Sequence, residues 1–339
     1  MRTKLVAVAA TIVFGATVAA CGGGDDDAAP KSTTTTSPPT TAAAAVTQPL
    51  TGLGGEIKQR PALVVKIDNA PLALPQAGLA FADVVVEEAV EGGVTRFMVV
   101  FHSQDTDELG PIRSARSTDI TVATALNRPL FSYSGANAVF EDLLRKSTLQ
   151  NVGPGVKAGA YFRKPGRPAP YNYWGRFPQI YEGAQGGPPP PMFTYRAEGE
   201  PSAIGDAAGG VKFDFRGRIV TSVEWRWDAA SATFRRKNNG KDHADANSTP
   251  VQPRNVVVQF TEYHNTGLVD RSGEPVPEGK VIGEGEAWVF TDGKVIKGRW
   301  KKDAPDAPIL YTDGTGQPIK LTPGQTWLEL PKPGSATLL

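Results

Sequence analysis

An amino-terminal α/β layered domain followed by a mostly antiparallel β domain, an α+β arrangement overall, is the fold class this sequence predicts, and three observations carry it. Between residues 60 and 193 short apolar runs alternate with helix-like segments, the order expected of an α/β layer structure. Beyond about residue 211 nearly every apolar segment alternates at period two or is a short run of the buried-strand type. Glycine and proline are frequent, 37 and 29 residues, which favours strands and long loops over a helical bundle. The join falls in the Gly-rich stretch 205–210, giving an α/β domain over 49–207 and a β-rich domain over 208–339.

Two segments precede these domains. Arg2 and Lys4 stand before a stretch, residues 5–20, that carries no charge, and Val18-Ala19-Ala20-Cys21 supplies the small residues that precede a lipidated cysteine. The uncharged run is shorter than the roughly 20 residues a membrane-spanning helix needs. Residues 1–20 therefore read as a lipoprotein signal peptide and Cys21 as the lipidation site. Acyl chains, at about 0.8 kcal/mol per buried methylene, anchor such a protein stably. The expected place is the cell membrane, lipid-anchored on the extracytoplasmic face. Cys21 is the only cysteine, so no thiol remains for a disulfide or a Cys-ligated zinc. Residues 21–48, rich in Thr, Ala and Pro with an Asp run at 25–27, read as a disordered tether spanning about 30 Å.

Within the first domain, apolar runs at 62–67, 84–86, 94–101 and 130–134 read as strands, and 118–126 and 138–146 as helices, the second with Phe140, Leu143 and Leu144 on one face. Within the second, residues 223–227 alternate and 256–260 form a buried-type run. Strands at 287–290 and 294–300 flank Asp292-Gly293, a strong hairpin signal. Residues 310–330 repeat the idea, with turns at Asp313-Gly314 and Pro323-Gly324.

The charges nearly balance, 36 basic against 35 acidic residues, which argues against nucleic acid and against a polybasic membrane surface as partners. No GxxxxGK[ST], HExxH, GxSxG or EF-hand pattern is present. Only His102, His243 and His264 are available to activate a nucleophile, so catalysis has no support from motifs, and no cofactor or metal is implied.

The strings PQAGL at 75–79, EGGVTRF at 91–97, GPIRSAR at 110–116, NVVV at 255–258 and PGQTW at 323–327 resemble the YerB-like lipoprotein family. The resemblance covers nearly all of the chain after residue 48. It implies a two-part domain of unknown function in an envelope lipoprotein. Where the family pattern suggests a His before an Asn, this chain has Tyr171-Asn172, so no histidine role is carried to that place. Glu87 and Glu91 match the pattern, whereas Glu88 falls where the family is usually apolar.

The richest cluster is Arg113-Ser114-Ala115-Arg116-Ser117-Thr118-Asp119. It opens the predicted helix at 118, where free backbone N–H groups favour an anion. Arg96, Arg113, Ser114 and Arg116 with Glu87 and Glu91 form the candidate anion or ligand site; the competing account is a buried ion network in which the arginines neutralise Glu87, Glu91 and Asp83. His243-Ala-Asp245 offers two metal-type ligands with no third, or a structural cap. Tyr161, Phe162, Tyr171, Tyr173, Trp174 and Phe177, interleaved with Arg163, Arg167 and Arg176, make either a binding surface or a loop that pins itself. The functional expectation is a membrane-anchored binding or regulatory protein, working with cell-wall proteins or an anionic envelope ligand. The alternative is an enzyme that holds a phosphate- or carboxylate-bearing substrate at Arg113 and Arg116, with Glu87 or Glu91 as acid or base.

Overall fold

Consecutive residues of a strand face opposite sides of a sheet, so a continuous apolar run must be covered on both faces. Leu63-Val64-Val65 is such a run, and all three residues are fully buried. The computed structural model describes residues 46–270 and 273–339; the signal peptide, Cys21 and all but the end of the tether lie outside the described residues. The body, residues 45–339, forms one compact unit.

Its first strands are β1 (Leu63–Asp68), β2 (Val84–Ala89), β3 (Thr95–Phe101), β4 (Leu130–Ser132), β5 (Gln150–Asn151) and β6 (Asp206–Ala207). A second group follows: β7 (Gly210–Arg216), β8 (Val220–Asp228), β9 (Thr233–Asn238) and β10 (Lys241–Asp242). The last are β11 (Asn255–Gln259), β12 (Tyr263–Val269), β13 (Pro275–Gly279), β14 (Gly283–Thr291), β15 (Lys294–Lys302), β16 (Leu310–Asp313), β17 (Thr326–Glu329) and β18 (Ala336–Leu338). The α-helices among the described residues are short: α1 (Ser117–Ala123), α2 (Ala138–Lys146) and α3 (Phe177–Tyr181).

One large sheet runs β6-β15-β14-β11-β17-β2-β3-β1-β4-β5, with β16 also on β15. Strands of both sequence halves share it, joined where β17 lies parallel to β2 on one side and β11 on the other. A second sheet, β10-β9-β8-β7-β18, packs Val211, Phe213, Val223, Trp225 and Phe234 against Val65, Val85, Phe97, Val256 and Trp327 of the large sheet. The opposite face, with Val64, Val86, Met98 and Val257, is covered by Ile120 and Val122 of α1, Leu144 of α2 and the Phe193 and Tyr311 region. Helices, large sheet and small sheet thus make three layers.

The strand-rich character of the sequence holds throughout. The α/β layering expected of the first half does not form as such. β2 and β3 are joined through the short turn Glu91–Gly93, and β3 pairs antiparallel with both β2 and β1. Parallel pairing in that half is confined to β1-β4-β5, where longer connections allow it. The expected helix at 118–126 ends at Ala123 and continues as one 3-10 turn, Thr124–Leu126; α2 matches its expected span, with Asn137 capping Val139 N–H. Asp292 and Gly293 both adopt positive φ, 54° and 68°, in the β14-β15 hairpin, as a tight turn with the twist of its strands requires.

Candidate functional site

Glu87 and Glu88 of β2 and Glu91 of the turn after it are sent different ways by the sheet geometry. Glu88 faces the helix layer, where it accepts from Lys66 Nζ at 2.5 Å; the same ammonium donates to Asp119 of α1 at 2.6 Å, and the trio is sealed. Burial and the neighbouring Asp119 push Glu88 up to about 7 against the pull of Lys66. Glu87 faces the small sheet. There Arg236 Nη2 reaches Glu87 Oε2 at 2.5 Å while both side chains have no solvent exposure. Asn69 Nδ2 and Thr95 Oγ1 donate to Glu87 Oε1, at 3.1 and 2.6 Å. Glu329 lies beside Glu87 across the parallel β2-β17 pair and accepts from Trp225 Nε1 at 2.9 Å.

Glu91 turns outward beyond the strand end and meets the arginine cluster. Arg116 donates to both of its oxygens, Nε and Nη2 each at 2.6 Å, the bidentate geometry a guanidinium favours. Burial opposes ionisation of Glu91, yet Arg116 and Arg96 together outweigh it and hold the carboxyl below its ordinary range. Arg113 donates from Nε to Asp68 Oδ2 and makes no other side-chain hydrogen bond among the described residues; its side chain is 23% exposed. Arg96, only 7% exposed, gives Nη1 to the Ser114 carbonyl at 3.1 Å. Its Nε is buried without a partner, and its Nη2 stands 3.8 Å from Glu91. Burial and then Arg116 lower Arg96 to about 10.

Arg96, Arg113, Ser114 and Arg116 line a polar cleft of about 390 Å³ with Ser134, Gly135 and Asn137. The cleft sits beyond the carboxyl ends of the parallel strands β1 and β4, the position where ligands enter open α/β sheets. The segment bearing Arg113 is fixed by its backbone: Arg113 N donates to Lys66 O, and Ser134 N to Arg113 O. The amino terminus of α2 opens on the same space through Ala136, Asn137 and Phe140. Val269, Asp270 and Val276 of the β12-β13 hairpin form the outer wall.

Five of the six candidate residues are therefore brought together; Glu87 is not among them. It points through the sheet away from the cleft and is sealed against Arg236. The start of α1 is not an anion site either: Ser117 and Thr118 are buried and the Arg116 amide is taken by Asp119 Oδ2 at 2.8 Å. His243 belongs to the sealed network, accepting at Nδ1 from Arg236 and donating from Nε2 to Gln76 Oε1, both 2.9 Å. Burial and Arg236 hold it neutral, well below the usual histidine range. Asp245 accepts from Ala80 N at 3.1 Å. The aromatic loop pins itself: Trp174 and Phe177 are buried, Lys164 and Arg167 stack on Trp174, and Arg167 caps the carbonyls of Ala73, Leu74 and Pro75. A Cβ on Gly110 would come within 2.9 Å of the Trp174 ring, which accounts for the glycine there. Arg236, Gln76, Asn69 and Lys66 escaped the sequence reading. Gln76 lay inside the quoted PQAGL motif, the one signal that marked it.

A β-rich body of three layers, with a polar cleft at the strand ends, is the class this fold and cleft define. The chain belongs to the family described as protein of unknown function DUF3048: its N-terminal domain matches residues 50–188 and its C-terminal domain residues 211–328. It is 28% identical over 294 residues to "Putative lipoprotein YerB" of Bacillus subtilis (strain 168), covering 83% of this chain and 85% of that one. The crystal structure of the YerB protein from Bacillus subtilis has the same fold, with a TM-score of 0.76 at 24% identity over 87% of this chain and 99% of the other.

Proposed function

We propose that this protein is an extracytoplasmic lipoprotein, held to the membrane through Cys21 and the 21–48 tether, whose body binds an anionic envelope ligand in the arginine cleft. One observation carries the reading. Arg96 is more than nine-tenths buried, keeps an unpartnered Nε and has no carboxylate closer than 3.8 Å, beside an Arg113 that lines the same cleft. A buried cation short of counter-charge is costly, and a bound anion supplies what is missing. Binding fits this geometry better than catalysis. Glu91 is held ionised by Arg116 and Arg96 and cannot serve as a proton donor at neutral pH, and Glu87 has no access to the cleft.

The test is titration of the full-length protein, purified from membranes, with inorganic phosphate and with acetate, following heat or intrinsic fluorescence. Saturable binding that weakens by about tenfold or more, roughly the loss of one charge-assisted hydrogen-bonded pair, in Arg113→Ala is expected. Equal binding by wild type and Arg113→Ala overturns the reading.

A further inference from the structure

We propose that Lys66 and Asp119 become joined by an intramolecular amide bond, made by the folded protein itself with Glu88 as the proton carrier. The side chains of Lys66, Glu88 and Asp119 are buried, none more than 3% exposed, so water neither screens their charges nor competes for their hydrogen bonds. Lys66 Nζ lies 2.5 Å from Glu88 Oε1 and 2.6 Å from Asp119 Oδ1, which sets an amine nitrogen beside a carboxyl carbon. Reacting groups held together in this way behave as if highly concentrated. The trio sits in the apolar layer between the large sheet and α1. Val64 and Val86 precede Lys66 and Glu88 by two residues on the same faces of β1 and β2, Met98 of β3 is paired with Lys66, and Ile120 and Val122 of α1 join the same cluster. Thr118 is a further polar neighbour of Glu88. Ions are costly in such a place, because lost hydration can exceed the attraction within a pair. A neutral amide removes an ammonium and a carboxylate together.

The two carboxyls have different parts. Asp119 is fixed in the first turn of α1, where its Oδ2 accepts from the Arg116 amide at 2.8 Å. That donor draws charge onto Oδ2 as Nζ adds to the carboxyl carbon. Glu88 reaches Lys66 from β2, across β3. Its carboxyl, pushed up to about 7 by burial and then by Asp119, gains and gives a proton near neutral pH, as a general acid and base must. The reaction is a condensation. The Nζ lone pair forms the bond to Asp119 Cγ, and the bond from Cγ to Oδ1 breaks with its electron pair on the oxygen. Two of the three Nζ protons pass through Glu88 to Oδ1, which departs as water. The third stays on the amide nitrogen, Oδ2 becomes the amide oxygen, and Glu88 ends as it began. No second molecule is consumed. The product staples β1 to α1 across 53 positions in a body that has no cysteine for a disulfide, and such a link opposes unfolding by restricting the unfolded chain.

The experiment is mass spectrometry of the full-length protein, purified from membranes, denatured and cut with trypsin. Wild type is expected to give a branched peptide that joins the segment containing Lys66 to the one beginning at Ser117, lighter by one water than the two together and uncut after Lys66. A time course on newly made wild type, in which the linear peptides give way to the branched one, follows the step without any variant. Glu88→Gln keeps the shape of the acid but cannot carry the protons, so it should link about 100-fold more slowly, the usual worth of general acid–base help. Circular dichroism confirms that this variant is folded, and Lys66→Met supplies the unlinked reference. Linear peptides alone from aged wild type overturn the proposal and leave the trio a buried ion network. So does a branch that joins Lys66 to Glu88, or a folded Glu88→Gln protein that links as fast as wild type.

Discussion

Arginine meets glutamate on both faces of β2, and the two meetings have opposite character. Behind the sheet, the single guanidinium of Arg236 faces Glu87 and Glu329 and also donates to neutral His243, and the whole group is buried. At the strand ends, Arg96, Arg113 and Arg116 share Glu91 and Asp68 in a partly open cleft that Asp270 also lines. The first cluster is served from within by Asn69, Thr95, Gln76 and Trp225, with Arg236 Nε and Glu329 Oε2 left buried without a partner. The second also leaves an arginine Nε without a partner, that of Arg96, but there the guanidinium lines an open cleft. Which residues are present does not separate a structural network from a site. The sheet face they take and their access to solvent do.

The largest expected effect tests the sealed cluster. Arg236→Met removes the one cation facing Glu87 and Glu329 and the donor to His243, and breaking a buried pair on one side costs about 3–5 kcal/mol. Guanidinium-chloride unfolding should show that loss, and adding Glu87→Gln should recover part of it. If Arg236→Met costs no more than a change at the cleft, the division between the two regions collapses.

Much of this comparison was beyond reach of the sequence, for reasons of topology. The runs that became β1 and β3 are buried on both faces and show as unbroken apolar strings. α2 carries its own cap and amphipathic face, and the β14-β15 turn is written in Asp292-Gly293. Those signals are local. The carboxyl pair is not: β17 enters the sheet between β2 and β11 and sets Glu329 against Glu87, and no short-range periodicity names a strand's neighbours. Likewise Arg235 and Arg236 are consecutive in a polar-looking string, and only pairing decides that Arg235 meets Asp228 at the surface while Arg236 faces the core. The arginines around the cleft were legible because they cluster near one strand–helix connection. Glu87 was misplaced because two residues on one side of a strand need not share a neighbour once the chain turns at Glu91.

A smaller effect, dependent on pH, sharpens the account of the sealed side. Burial, and then Glu87 beside it, push Glu329 well above the usual carboxylate range, outweighing Arg236 and Trp225. Folded protein thus keeps a proton on Glu329 at pH values where the unfolded chain, near the ordinary value of about 4.3, has lost it. The unfolded state then binds fewer protons, so stability falls as pH rises. The contribution is complete below the unfolded value and disappears as pH passes through the raised folded value. Glu329→Gln, which keeps the shape of the protonated acid, should flatten this slope by up to about 1.4 kcal/mol per pH unit. Lys302, lowered to about 8 by burial, adds a slope of opposite sign in alkali, but it is common to both proteins. The difference between wild type and Glu329→Gln, followed upward from the ordinary carboxylate range, isolates the carboxyl. Parallel stability curves mean that no proton is held there.

The smallest expected change lies at the cleft, and its smallness is the point. Arg113→Ala removes one side-chain hydrogen bond, to Asp68. Asp68 is buried, yet it retains the Ala70 amide on Oδ1 at 2.8 Å and the nearby charge of Arg96, which already feels Asp68 as an attractive partner. The same substitution relieves repulsion, because Arg116 and Arg113 both weigh against the charge on Arg96. Gain and loss should nearly cancel, leaving about 1 kcal/mol or less, in the range of partly exposed ion pairs. Salt gives the finer reading. Screening weakens repulsion among the three arginines, so wild type should gain melting temperature with added sodium chloride more than Arg113→Ala does. A loss as deep as that of Arg236→Met, or a wild type that salt destabilises more than the variant, would place Arg113 with the sealed network and leave the cleft with no cation to spare for a ligand.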